Sequence, residues 1–161
     1  FHYGSDRCTG GEMEQIMKIS TRGRYAVRVM LDLAENDRGA YIPLMDVAGR
    51  QEISEKYLES IVSVLSRNHF VISLRGKGGG YRLARTPGEY TVGSILRAAE
   101  GSLAPAACLE EGAPPCSRAS FCRTKKMWEG LYCLINEYFD KITLEDLLND
   151  RYTDCNLTKG E

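Results

Sequence analysis

Between two short runs of β-forming residues, Phe70 to Leu74 and Tyr81 to Ala84, the chain carries Arg75-Gly76-Lys77-Gly78-Gly79-Gly80. A stretch so rich in glycine cannot sustain a helix or a buried strand, because glycine loses the most backbone freedom on ordering and has no side chain to pack. The same residues make chain reversal easy, so the segment predicts a β-hairpin with a long tip. Arg75, Lys77, Arg82 and Arg85 fall within eleven residues that contain no acid.

The segments before the hairpin read as three helices. From Ser20 to Glu35, Ala26, Val29, Met30 and Leu33 recur at helical spacing, with Ser20 or Thr21 available as the cap and Arg38-Gly39 as a break. Tyr41-Ile42-Pro43 predicts a short extended link, since a residue before proline avoids helical geometry. Leu44 to Arg50 predicts a short helix entered at Pro43, and Gln51-Glu52-Ile53 a turn. Ser54 caps a third helix reaching about Asn68, with Leu58, Ile61, Val62 and Leu65 as its apolar stripe. Its opposite face carries Glu55, Lys56, Glu59, Ser60 and Ser63.

After the hairpin, Val92 to Glu100 predicts a fourth helix stopped by Gly101, followed by an irregular loop over 102–121 that contains Pro105, Pro114 and Pro115. From about Cys122 to Asp140 a long amphipathic helix carries Met127, Trp128, Leu131, Leu134, Ile135, Tyr138 and Phe139. Thr143 and Asp146 open a last short helix with a capping box. The expected organisation is therefore an extension over 1–16, a first module over 17–90, a second over 91–150 and a flexible tail over 151–161. Phe1 to Gln15 lacks the order of a secretory signal, and no apolar run approaches 18 residues, so a cytoplasmic protein without a membrane span is expected.

The formal net charge of −1 hides a division. Residues 17–90 hold twelve Lys/Arg against eight Asp/Glu, hence +4, whereas residues 91–161 hold eight against eleven, hence −3. One half faces a polyanion and the other has a different task. The third helix presents short donors and acceptors beside an apolar stripe, which is what reading base edges in a major groove requires. Ser54, Glu55, Lys56, Tyr57, Glu59 and Ser60 would enter the groove first. Glu59 would accept from a cytosine amino group and repel phosphate, making it a residue of specificity. The glycines let the hairpin approach a phosphate or a narrow minor groove, where an arginine at the tip would be the inserted cation, with Arg75, Lys77, Gly78, Gly79 and Tyr81 as the candidate contacts. A nucleotide loop fits less well, for the Walker spacing is missing and Tyr81 stands where a dinucleotide fingerprint needs its third glycine.

Of six cysteines, Cys108, Cys116 and Cys122 crowd into 15 residues, while Cys8, Cys133 and Cys155 are scattered. In a reducing compartment such a cluster points to metal before disulfides. The spacing C-x7-C-x5-C lacks the CxxC pairs of a zinc ribbon. Arg118, Arg123, Lys125, Lys126 and a helix start would favour thiolates, which suit an iron–sulfur cluster or zinc, with a redox-sensing thiol set as the alternative. Cys133, on the long helix, is expected to be buried packing. The aromatic residues there are expected in core and dimer interface. His2 and His69 are not expected to be ligands, and no Ser/His/Asp or paired-carboxylate arrangement suggests an enzyme.

MKISTRGRYAVRVMLDLA, ISEKYLESIVSVLSRNHFVISLRGKGGGYRLAR, the cysteine loop and ITLEDLLND together resemble the IscR-like (Rrf2) family of bacterial regulators over nearly all of residues 17–150. The resemblance implies a mainly α fold with a β-hairpin wing, a winged helix-turn-helix followed by a long C-terminal dimerisation helix. It implies a homodimer on a palindromic operator in double-stranded DNA, acting as a repressor, with Glu59 reading a base and Arg75 entering the minor groove. The dimer interface would draw on Trp128, Leu131, Ile135, Tyr138 and Phe139. Cys108, Cys116 and Cys122 would ligate an iron–sulfur cluster, 2Fe-2S in preference to 4Fe-4S. The fourth ligand departs from the pattern. Lys125 stands where cluster-sensing members have histidine, and Arg24 where another subgroup has an acid; Glu110, Glu111 and Cys133 remain. The alternative within the family is control by a protein partner or small metabolite of cysteine metabolism, without a cluster.

Overall fold

The computed structural model describes residues 18–152. The expected extension 1–16 and most of the expected tail 151–161 lie outside the described residues, as do Cys8, Cys155 and His2.

Helix α1 (Thr21–Glu35) starts at Ser20, whose hydroxyl accepts from the Gly23 amide at 3.2 Å, and it buries Ala26, Val29, Met30 and Leu33. Helix α2 (Leu44–Gln51) is short and buries Val47. It ends at Glu52, which takes φ 55°, and that left-handed residue turns the chain into α3 (Glu55–Arg67). Ser54 caps α3, and Leu58, Ile61, Val62 and Leu65 are buried as the stripe predicts. Strands β1 (Val71–Leu74) and β2 (Gly80–Leu83) pair antiparallel in the register Val71 with Leu83, Ile72 with Arg82, Ser73 with Tyr81 and Leu74 with Gly80.

A third, single-residue rung attaches this hairpin to the helices. Ile42 donates to the Tyr81 carbonyl at 2.9 Å and Tyr81 donates to the Ile42 carbonyl at 2.8 Å. A Cβ at Gly80 would run into the Ile42 carbonyl, so glycine is needed for that close approach. Buried Tyr90 secures the other end, its hydroxyl donating to the Phe70 carbonyl at 2.8 Å and accepting from the Arg85 amide at 2.8 Å.

Helix α4 (Val92–Glu100) lies across α1, where the Glu100 carboxylate accepts from the Ser20 amide at 2.9 Å and its hydroxyl at 2.6 Å. After the cysteine loop, α5 (Lys125–Asp140) packs on α4. Helix α6 (Leu144–Leu148) opens with the expected capping box and returns fully buried Leu144 to the main core. That core is formed by α1, α3, the base of the hairpin, Tyr90, Ile95 and Leu144. A smaller one, Val92, Leu96 and Leu103, is covered by Tyr132, Ile135 and Phe139 of α5.

The helix predicted from about Cys122 begins at Lys125 instead. Thr124 gives no side-chain cap, and Cys122 stays in the loop. Cys133, expected to be buried packing, is exposed. It faces Glu137 one turn on, its thiol donating to that carboxylate at 3.4 Å.

Candidate nucleic-acid interface and cysteine loop

The turn between α2 and α3 is held from α1. Asp32, 1% exposed, accepts from Arg50 Nη2 at 2.7 Å and Nε at 3.0 Å, and from Gln51 Nε2 at 2.8 Å. Gln51 in turn receives Arg28, Nη2 on its carbonyl at 2.6 Å and Nε on its side chain at 3.0 Å. A buried carboxylate satisfied on several sides orients its partners tightly, so the angle of the helix-turn-helix is set by charge as well as packing.

On α3, Ser54, Glu55, Lys56 and Glu59 are exposed. Tyr57 and Ser60 are half-buried. Tyr57 meets Tyr25 of α1 edge-on at 5.9 Å between centroids, and the Ser60 hydroxyl donates to the Tyr57 carbonyl at 2.7 Å. The hairpin cations also divide. Arg82 lies 4.9 Å over Tyr41, and Arg85 lies 4.8 Å over Tyr90 and 5.5 Å over Phe70, so rings engage both. Arg75 and Lys77 remain exposed at the tip with Gly78, whose φ is 76°.

Glu55 and Glu59 from α3 and Arg75, Gly79 and Tyr81 from the hairpin line one open cleft of about 600 Å³. Those five of the predicted helix and wing residues share the cleft, whereas Ser54, Lys56, Tyr57, Ser60, Lys77 and Gly78 do not line it. Sequence reasoning missed Met45, Ser63, Ser66, Arg67, Ser73 and Leu74, which line it as well. Ser63 and Arg67 carried a signal, being four and eight residues beyond Glu59 on one helical face. Met45 and the strand residues carried none.

The cysteine loop has little internal structure. Cys108 sits in a single 3₁₀ turn (Ala107–Leu109), and the Cys116 carbonyl accepts from the Ala119 amide at 3.0 Å. Cys122 lies next to α5, 3.4 Å from the Thr124 hydroxyl. That hydroxyl, with the Thr124 and Lys125 amides and nearby Arg118, lowers the Cys122 thiol pKa below the ordinary value. Glu137 does the opposite to Cys133, raising its pKa by accepting from the thiol and repelling the thiolate. Among the described residues no three His, Cys, Asp or Glu side chains are gathered as a ligand set. Cys108 and Cys116 are exposed, and of the loop only Leu103, ahead of the cysteines, is buried in an apolar core. Lys125, where histidine was expected, is 3.6 Å from Glu129 in a one-turn ion pair, and Arg24 bonds the Thr21 hydroxyl at 3.4 Å.

Helix α5 has two apolar faces. Ile135 and Phe139 cover the second core, Trp128 and Leu131 are half-buried, and Met127 (56% exposed), Leu134 (63%) and Tyr138 (48%) form an outward stripe.

A helix-turn-helix braced from behind, a basic hairpin sharing a cleft with its second helix, and a further helix with an uncovered apolar face define a winged helix-turn-helix transcription regulator. The chain belongs to the Rrf2 family, described as an iron-dependent transcriptional regulator, whose family model matches residues 19–150. It is 37% identical over 135 residues to the HTH-type transcriptional regulator IscR of Pectobacterium carotovorum, covering 84% of this chain and 81% of that protein. Among solved structures it is similar to T. potens IscR, with TM-score 0.67, 37% identity and coverage of 89% of this chain and 93% of that one. It is also similar to CymR, the global cysteine regulator of B. subtilis, with TM-score 0.68, 35% identity and coverage of 86% and 100%.

Proposed function

We propose that this regulator binds duplex DNA sequence-specifically as a homodimer, each α3 in a major groove of a palindromic operator and each hairpin in the flanking minor groove. Residues 17–90 would form the DNA-binding unit and 91–150 the sensing and dimerising unit. The observation that carries this reading is the common cleft of α3 and the hairpin, with exposed Glu59 on one wall and exposed Arg75 on the other. Glu59 supplies base preference and Arg75 supplies affinity.

Cys108, Cys116 and Cys122 would hold an iron–sulfur cluster, 2Fe-2S in preference to 4Fe-4S, with the fourth ligand unassigned. The donor chemistry fits: three free thiols in one loop, one of them with its pKa lowered by the Thr124 hydroxyl and neighbouring amides. The family's description as an iron-dependent transcriptional regulator supports an iron-containing site, without bearing on the cluster type. A bound cluster would supply a redox-responsive link among the three thiolates. Cys122 lies three residues before α5, and α5 is tied to α4 at its far end by Arg97, so thiol state would reach the spacing of two DNA-binding units. Repression is the expected outcome of binding.

A second reading is favoured by the dispersed thiols and by Lys125 in place of histidine: control by a protein partner or metabolite, as suits a relative of a cysteine regulator. Anaerobic purification separates the two. About two iron and two sulfide per chain, with a visible absorption band lost in the Cys122→Ala variant, is the expected result. Colourless, iron-free protein that binds DNA with unchanged affinity would favour the partner reading. For the DNA assignment, Arg75→Ala should weaken binding about tenfold and flatten its salt dependence, whereas Glu59→Ala should relax base preference. An unchanged isotherm for Arg75→Ala removes the wing.

A further inference from the structure

We propose that the cleft between α3 and the hairpin seats the sugar–phosphate strand between the two grooves of bound DNA, with Arg67 as its cation and Ser63, Ser66 and Ser73 as its neutral donors. The inference rests on the DNA reading above and assigns residues which that reading leaves unused.

Adjacent major and minor grooves share one backbone strand as their common wall. If α3 lies in the first groove and the hairpin enters the second, the space between them must hold that strand. The cleft of about 600 Å³ is that space. Along α3, Glu55, Glu59, Ser63 and Arg67 follow at four-residue intervals and all line it. They span about 18 Å of helix and form one row. The row is electrically graded: two carboxylates at the start, where a phosphate would be repelled, and a guanidinium at the end, where it would be attracted.

Arg67 is available for the task. It is exposed, it forms no ion pair among the described residues, and its hydrogen bond there is Nε to the Ser63 carbonyl at a long 3.4 Å. The two terminal nitrogens are unspent, in contrast to Arg82 and Arg85, which lie over aromatic rings. The Ser63, Ser66 and Ser73 hydroxyls likewise make no hydrogen bond among the described residues, and hydroxyl groups are common phosphate donors. The opposite wall is firm, because Ser73 pairs with Tyr81 and Tyr81 is bonded to Ile42 in both directions. Half-exposed Leu74 on that wall offers an apolar surface to deoxyribose.

The test uses the full chain, a 30-base-pair duplex that it selects from a random-sequence pool, and a shuffled duplex of the same composition. Arg67→Ala should weaken binding to both duplexes by the same factor, about fivefold to tenfold, and lower the log–log salt slope by about one, while Arg67→Lys keeps the slope. In a scan of single methylphosphonates, wild type should lose affinity at one backbone position between the major- and minor-groove contacts, and Arg67→Ala should be indifferent there. Loss confined to the selected duplex would make Arg67 a base reader and overturn the proposal. Unchanged affinity and slope would overturn it too, with the DNA reading intact provided Arg75→Ala still weakens binding. If wild type selects no duplex at all, the underlying reading fails instead.

Discussion

His69 takes φ 56° one residue beyond the Asn68 cap of α3. Its amide donates to the Ser66 carbonyl at 3.0 Å and the Phe70 amide to the Leu65 carbonyl at 2.9 Å, the pair of bonds that closes a Schellman motif. An L-residue pays for left-handed geometry there, and glycine does not. His69→Gly should therefore raise stability by about 0.5–1 kcal/mol after glycine's own entropy loss, read as a higher thermal midpoint by circular dichroism. A lower midpoint would mean that the imidazole makes a contact worth more than the strain. Single residues divide sharply in how legible they were. The caps Ser20, Ser54 and Thr143 act within three residues of chain, and all three hold as read. Cys133 was misjudged, and the ring partners of Tyr57, Arg82 and Arg85 were not legible, because these environments depend on residues elsewhere. Tyr25 comes from another helix, Tyr41 and Tyr90 lie on either side of the hairpin, and Cys133 is exposed on a helix face whose orientation no local pattern reveals.

At the scale of elements, the order of helices and hairpin followed from periodicity and punctuation, while the forces that angle one element against the next did not. Asp32 reads as one acid in an amphipathic helix, yet it is the buried anchor of the turn before α3. The two partners are unequal, Arg50 at 38% side-chain exposure and Asp32 at 1%. Removing the exposed partner should hurt more. Arg50→Ala strands a buried carboxylate with Gln51 as its remaining donor and should cost about 2–3 kcal/mol in urea unfolding, below the range for a fully buried pair because Arg50 is partly solvated. Adding Asp32→Leu should recover most of that loss, since the unpaired charge is gone. Additive losses in the two variants would refute an electrostatic anchor and leave packing as the cause. The cysteine loop was legible as thiol chemistry but not as geometry, for a segment with no buried core has nothing local to order it.

For the whole molecule, the excess of base in the first half and acid in the second matches a division of surfaces, with Arg67 and Arg75 on the cleft and an apolar stripe along α5. The five aromatic and aliphatic residues expected at a dimer interface lie within about 100° of the helix circumference but differ in exposure. Ile135 and Phe139 are spent on the second core, whereas Met127, Leu134 and Tyr138 are the ones left uncovered. An exposed stripe of that kind on a structured helix marks a partner surface, and under two-fold symmetry each residue in it counts twice. If the proposed homodimer closes on this stripe, the pair Leu134→Glu and Tyr138→Glu would place four carboxylates in its seam and should raise the dimer dissociation constant at least about a hundredfold, measured by sedimentation, with the thermal midpoint of the monomer little changed. Ile135→Glu should behave oppositely, lowering the midpoint because it breaks the α4–α5 contact within one chain. If the outward pair unfolds the protein and Ile135→Glu dissociates it, the two faces of α5 are assigned the wrong way round. If neither alters association, the homodimer does not form through this helix, and two α3 helices would need another way to reach successive grooves.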